Sequence, residues 1–141
     1  MISGMRKGLS DIDLSAFCAD NKKIAVVATR FNAKIIEQML TGVLAELNKA
    51  GLSDAQIDVF YVPGAFELPL VVKKCVGLNK YSGVIALGAV IKGDTDHHLY
   101  ISAECTRGLM KVMLKQQVPV AMGVLTTDTF EQAWVRADIN D

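Results

Sequence analysis

Short apolar runs alternate with amphipathic stretches along most of this chain. Lys23-Ile-Ala-Val-Val-Ala-Thr29 is short and rich in β-branched residues, the composition of a strand buried on both faces. After it, Ile35, Ile36, Met39, Leu40, Val43, Leu44 and Leu47 recur at helical spacing on one face. Asn32 is placed to cap that helix and Gly51 to end it. Ile57–Val62 predicts a second strand. Pro63-Gly64 then makes a turn, and Phe66–Val76 predicts a helix with Pro69 in its first turn, where no N–H is needed. Gly83–Ile91 predicts a third strand, Tyr100–Lys115 a helix weakened by Gly108, and Val118–Leu125 a fourth strand. Asp128-Thr-Phe-Glu131 has the form of a capping box for a last helix through Arg136. Asp13–Phe17 is a candidate for an extra N-terminal edge strand.

Strands alternating with crossover helices specify an α/β fold with a mainly parallel four-stranded sheet. Right-handed crossovers cover both faces, giving a three-layer α/β/α sandwich with flavodoxin-like strand order. In such sheets ligands sit beyond the carboxyl ends of the strands, near a topological switch point. Four polar segments follow strand ends here: Thr29-Arg30-Phe31-Asn32, Pro63-Gly64-Ala65-Phe66-Glu67, Lys92–His98 and Thr126-Thr127-Asp128. All four are expected on one rim.

The length of 141 residues fits a single domain, with residues 1–21 as an N-terminal segment. Half the chain (51%) is apolar, which fits either buried subunit interfaces or a rich core. Lys plus Arg balance Asp plus Glu at 15 each, so the basic excess of a nucleic-acid binder is missing. The first ten residues contain no apolar stretch of signal-peptide length, and the apolar run Val84–Ile91 is too short to span a bilayer. The expectation is a cytoplasmic protein with no membrane or nucleic-acid partner. Cys18, Cys75 and Cys105 are odd in number and widely spaced, which predicts reduced, mostly buried thiols rather than a disulfide or metal framework.

The chemistry concentrates in Gly88-Ala-Val-Ile-Lys92-Gly93-Asp94-Thr95-Asp96-His97-His98-Leu99-Tyr100. It reads as a buried strand ending in a polar turn that opens a helix. Backbone N–H groups at a helix start hold phosphate well, and an imidazole moves protons near neutral pH. Gly93-Asp94-Thr95 is thus an anion cradle or an ordinary capped loop. His97 and His98 are adjacent, an arrangement that does not easily turn both toward one pocket, and periodicity does not choose between them. Gly64 and Ala65 let a ligand approach the backbone. Glu67 either accepts hydrogen bonds from hydroxyls or only favours a helix start. Phe31 either stacks on a flat ring or packs in the core. Arg136 either clamps a phosphate or serves a helix end. Lys92 reads as a solvated lysine, and Trp134 as a packing residue or interface anchor.

Taken together, Arg30-Phe31-Asn32, Val62-Pro63-Gly64-Ala65-Phe66-Glu67-Leu68-Pro69, Gly88 through His97, and Gly123-Val-Leu-Thr126-Thr127-Asp128-Thr-Phe-Glu131-Gln132-Ala133 resemble the 6,7-dimethyl-8-ribityllumazine synthase family, in order and spacing, from about Lys22 to Arg136. The resemblance implies a transferase of riboflavin biosynthesis. It condenses 5-amino-6-(ribitylamino)uracil with 3,4-dihydroxy-2-butanone 4-phosphate, releasing phosphate and water and needing no metal or organic cofactor. It implies His97 as the catalytic proton shuttle and Phe31 as the stacking face. Asn32, Ala65, Phe66 and Glu67 would lie along the ring and ribityl chain, with Val90 and Ile91 lining the pyrimidine pocket. Gly93, Asp94, Thr95 and Arg136 would hold the phosphate. It also implies a homo-oligomer, a pentamer or a decamer or sixty-subunit shell built on it, with sites between subunits. Met122 would then meet the ligand of a neighbour, and riboflavin synthase is a candidate partner. His98 and Leu99 stand where the family has an aromatic and an acidic residue, and Met122 where an aromatic or asparagine is common. The family's lysine-containing loop and closing helix find no counterpart before Asp141. A non-catalytic carrier of riboflavin or a lumazine on the same fold is the alternative. A flavodoxin-like nucleotide module is disfavoured, because Thr29-Arg30-Phe31-Asn32 occupies the place of its Gly- or Ser/Thr-rich phosphate loop.

Overall fold

A computed structural model describes residues 23–138. Four strands, β1 (Lys23–Thr29), β2 (Ile57–Val62), β3 (Tyr81–Ile91) and β4 (Val120–Thr127), pair in parallel in the order β2-β1-β3-β4. Four helices connect or follow them: α1 (Ala33–Lys49), α2 (Leu68–Gly77), α3 (His97–Gln116) and α4 (Phe130–Ala137). This is the α/β architecture expected from the alternation. The candidate edge strand Asp13–Phe17 and Cys18 lie outside the described residues.

β1 is buried along nearly its whole length because helices cover both its faces. The alternation of its side chains divides the core in two. Ala25 and Val27 meet Leu68, Val72, Cys105 and Leu109 from α2 and α3. Ile24, Val26 and Ala28 meet Ile35 and Ile36 of α1 and Ala133 of α4. β1 leads through α1 to β2 on one side, whereas β3 leads through α3 to β4 on the other, with α1 and α3 on opposite faces. The switch point therefore falls between the carboxyl ends of β1 and β3.

Several boundaries differ from the sequence reading, each for a local reason. β3 begins two residues earlier, at Tyr81, because Tyr81 pairs with Lys23 and the irregularity before Ile24↔Gly83 absorbs Ser82. β4 begins two residues later, at Val120: Pro119 has no N–H to give, and its carbonyl only accepts from Val84 N at 3.0 Å. β4 then runs on through Thr126 and Thr127, which pair with Val90 and Ile91. Ala65–Glu67 form a 3-10 turn before α2 proper. α3 begins at His97, three residues before the predicted start, since its first turn is exposed at the rim and carries no apolar periodicity. The last helix is capped by Thr129 rather than Asp128: Thr129 Oγ1 accepts from Gln132 N at 3.2 Å, while Gln132 Oε1 accepts from Asp128 N.

Gly108 is not a weakness of α3 but a fitting requirement. A Cβ there would lie 2.7 and 2.8 Å from the Pro69 ring, so the glycine lets α2 and α3 approach closely. At the strand starts, far from the rim, Asp58 Oδ2 accepts from Tyr81 Oη (2.7 Å) and Lys80 Nζ (3.2 Å), with Lys23 Nζ 3.7 Å from Oδ1. The Tyr81 hydrogen bond, aided by the two lysines, holds the Asp58 carboxyl below its ordinary value.

Candidate active site

A cavity of about 460 Å³ opens at the switch point. Its walls come from three of the four polar segments. The β1 end gives Thr29, Phe31 and Asn32, and the turn after β2 gives Gly64, Ala65, Phe66 and Glu67. The β3 end and the start of α3 give Ala89, Val90, Ile91, Gly93, Thr95, His97, His98 and Ile101. The fourth segment, Thr126-Thr127-Asp128, does not line it. β4 lies on the far side of β3 from the switch point, and Thr127 O accepts from Lys92 N at 2.9 Å, holding the exit of β3.

Phe31 is no core residue: it is 73% exposed and stands at the cavity mouth. Its backbone is tied to the next loop, with Arg30 N donating to Val62 O (2.8 Å) and Phe31 N to Pro63 O (3.1 Å). The Arg30 guanidinium lies over the Tyr61 ring, 5.1 Å from its centre, which keeps that cation on the outside of the loop. Phe66 presents a second exposed ring to the cavity. Asn32 is the N-cap residue of α1, its carbonyl accepting from Ile35 N and Ile36 N, but its side chain makes no capping bond. It adopts a left-handed backbone, and its Nδ2 donates to Ala89 O at 2.9 Å instead of serving the helix. Glu67 serves the start of the next helix and also lies at the cavity. Its Oε2 accepts from Gly64 N at 2.9 Å, closing the turn, while the side chain still lines the cavity.

Both histidines line this cavity, although adjacency argued against it. They are the first two residues of a helix that starts at the rim, and successive positions about 100° apart both face a wide opening. His98 Nδ1 lies 3.3 Å from Thr95 O, and His97 N donates weakly to Thr95 Oγ1 at 3.5 Å, so the 93–95 loop and the first turn of α3 brace each other. Gly93 is not there for packing, since a Cβ would meet nothing within 4 Å.

Three candidates lie outside this cavity. Asp94 is exposed and does not line the cavity. Met122, 51% exposed, pairs with Ala86 midway along β4, well below the rim. Arg136 sits in the last turn of α4, on the α1 side of the sheet, where its Nη1 donates to Gln132 O at 3.0 Å. Among cavity residues, Ala89 and Ile101 were not singled out from the sequence. Ile101 follows His97 by one turn and becomes visible once α3 is started at His97. Ala89 contributes a main-chain oxygen, for which side-chain identity gives no signal. Among the described residues, no group of three or more His, Cys, Asp or Glu side chains converges as a metal site requires.

A family model described as 6,7-dimethyl-8-ribityllumazine synthase matches residues 21–141. The chain is also similar to the 6,7-dimethyl-8-ribityllumazine synthase of Leuconostoc mesenteroides subsp. mesenteroides, with 45% identity over 117 residues that cover 83% of this chain and 75% of the relative.

Proposed function

Because the chain belongs to the 6,7-dimethyl-8-ribityllumazine synthase family, we propose that the cavity between the ends of β1 and β3 is where 5-amino-6-(ribitylamino)uracil and 3,4-dihydroxy-2-butanone 4-phosphate condense. The activity is that of a transferase in riboflavin biosynthesis acting on small-molecule substrates. The observation that carries the assignment of the site is the meeting of an exposed ring (Phe31), a carboxylate (Glu67), a helix-opening loop (Gly93, Thr95) and an imidazole (His97) around one opening.

In this reading Phe31 covers one face of the pyrimidine, and Val90 and Ile91 offer their backbones along its edge. Asn32, Ala65, Phe66 and Glu67 follow the ring and ribityl chain, with Glu67 accepting from hydroxyls. Gly93, Thr95 and, through its backbone, Asp94 supply donors to the phosphate at the start of the 20-residue helix α3. His97, on the first turn of that helix, takes and returns protons as the amine adds to the ketone, water leaves and phosphate departs. The rest of the acceleration comes from holding both reactants in one orientation.

The assembly reading extends this. Met122 and Arg136 do not line their own cavity, and in this reading they serve a neighbour's site in a homo-oligomer, a pentamer or a larger assembly of pentamers. Support comes from large apolar residues that are about half exposed or more on α3 and β4: Leu99, Tyr100, Met110, Leu114 and Met122. No helix among the described residues is long and apolar enough to cross a membrane. The site of action in this reading is the cytoplasm. Product would pass to riboflavin synthase.

Mixing the full chain with both substrates and following lumazine absorbance and fluorescence tests the function. Product formed at a rate proportional to enzyme supports it. Tight binding of a lumazine or riboflavin with no turnover would instead make the protein a carrier.

A further inference from the structure

β1 and β3 pair only as far as Ala28↔Leu87, yet β3 continues to Ile91. Two residues past the last pair, the Ala89 carbonyl lies where no β1 residue remains to donate to it. A buried main-chain oxygen at that point needs a partner. Asn32 supplies one: its Nδ2 donates to Ala89 O at 2.9 Å across 57 residues of sequence. To make the bond, Asn32 adopts φ 59° and ψ 43°, a left-handed conformation that asparagine tolerates better than most side chains. It makes no side-chain bond to the helix it precedes. The same short loop is stitched to the β2 side by Arg30 N and Phe31 N. Phe31 is therefore held between two strands, although its own ring is mostly exposed.

We propose that Asn32 is a positioning residue: its amide replaces the missing rung of the sheet and fixes the distance between Phe31 and the β3 end, Val90 and Ile91, before substrate arrives. The proposal rests on reading this cavity as the pyrimidine site, where those two walls form the slot for the ring. Pre-formed spacing matters because a slot that must be assembled on binding loses affinity to ordering. An asparagine fits where other donors do not, since the bond demands a short amide on a left-handed residue.

Three variants of the full chain separate the parts. Asn32→Gly keeps access to the left-handed backbone and loses the amide. Asn32→Asp keeps size and backbone tolerance but turns an acceptor toward the Ala89 oxygen. Asn32→Ala loses both advantages. Hydrogen–deuterium exchange of the 89–91 segment and steady-state kinetics, with each substrate varied in turn, are the measurements. In Asn32→Gly, exchange across 89–91 is expected to rise, and KM for the pyrimidine to rise about two- to twelve-fold, the equivalent of the one lost hydrogen bond. KM for the butanone phosphate should change little, while the melting temperature falls by a few degrees because a buried carbonyl loses its partner. Asn32→Asp should be at least as impaired as Asn32→Gly. Wild-type exchange in the glycine variant would overturn the proposal. So would an unchanged pyrimidine KM, or equal increases for both substrates. If the wild-type chain forms no lumazine, the reading of the site fails instead, and the exchange result still decides whether Asn32 clamps β3.

Discussion

Replacing Phe31 by alanine separates a functional ring from a structural one. Fully burying a phenylalanine is worth up to about 3 kcal/mol. With 73% of Phe31 exposed, only about a quarter of that is realised in the fold, so the variant should lose under about 1 kcal/mol of unfolding free energy. The binding side is larger. Stacking a base on an aromatic ring contributes about 1–3 kcal/mol by alanine substitution, or roughly five- to 150-fold in affinity. Because the ring contacts ground state and transition state alike, the loss should fall on KM for the pyrimidine and leave kcat within a few-fold. Chemical denaturation gives the first quantity, and lumazine fluorescence with the pyrimidine varied gives the second. A stability loss of about 3 kcal/mol or more, the value for a buried phenylalanine, would refute the placement of Phe31 at the mouth. An unchanged KM would refute the stacking role.

His97→Ala should lower kcat roughly ten- to a thousand-fold with a small change in KM, as expected for losing one proton-transfer group, and an unchanged turnover number would remove His97 from the chemistry. Burial pushes the Cys105 thiol up to about 11 from its ordinary 9.0. The unfolded thiol ionises first, so stability is whole below about pH 9 and declines as pH rises toward 11. The loss is at most about 2.7 kcal/mol for two pH units. Denaturation midpoints across that window should fall more steeply in the wild type than in Cys105→Ala, and parallel declines would contradict the burial. Gly108→Ala would stabilise an isolated helix by about 1 kcal/mol, but here the new Cβ meets the Pro69 ring. Overpacking costs about 1–3 kcal/mol, so denaturation should show a net loss of up to about 2 kcal/mol. A clear net gain would mean that α2 and α3 are free to separate.

How far the site could be read in advance depended on what kind of contact makes it. The loops after β1, β2 and β3 were legible, because a strand end followed by small and polar residues must emerge at the carboxyl rim whatever the details. Pro119 marks the start of β4, since it has no N–H for the ladder, although the apolar run reads straight through it. The rim-exposed first turn of α3 hid its start, and with it the fact that His97 and His98 share one cavity. Asn32 read as a helix cap from its neighbours in sequence, yet its amide answers to Ala89, far along the chain.

Periodicity and turn chemistry determined the succession of strands and helices and the parallel sheet, because those depend on residues within a few positions of one another, while the family followed from the resemblance of four motifs kept in order and spacing. Which side chains meet was decided only by the tertiary structure. The gap left where β1 ends before β3 gave Asn32 its partner. The close approach of α2 and α3 made Gly108 necessary. The layering of the sheet set Arg136 and Met122 apart from their own cavity. Such contacts join residues far apart in the chain, and nothing local in a sequence records where a distant backbone oxygen or proline ring will lie.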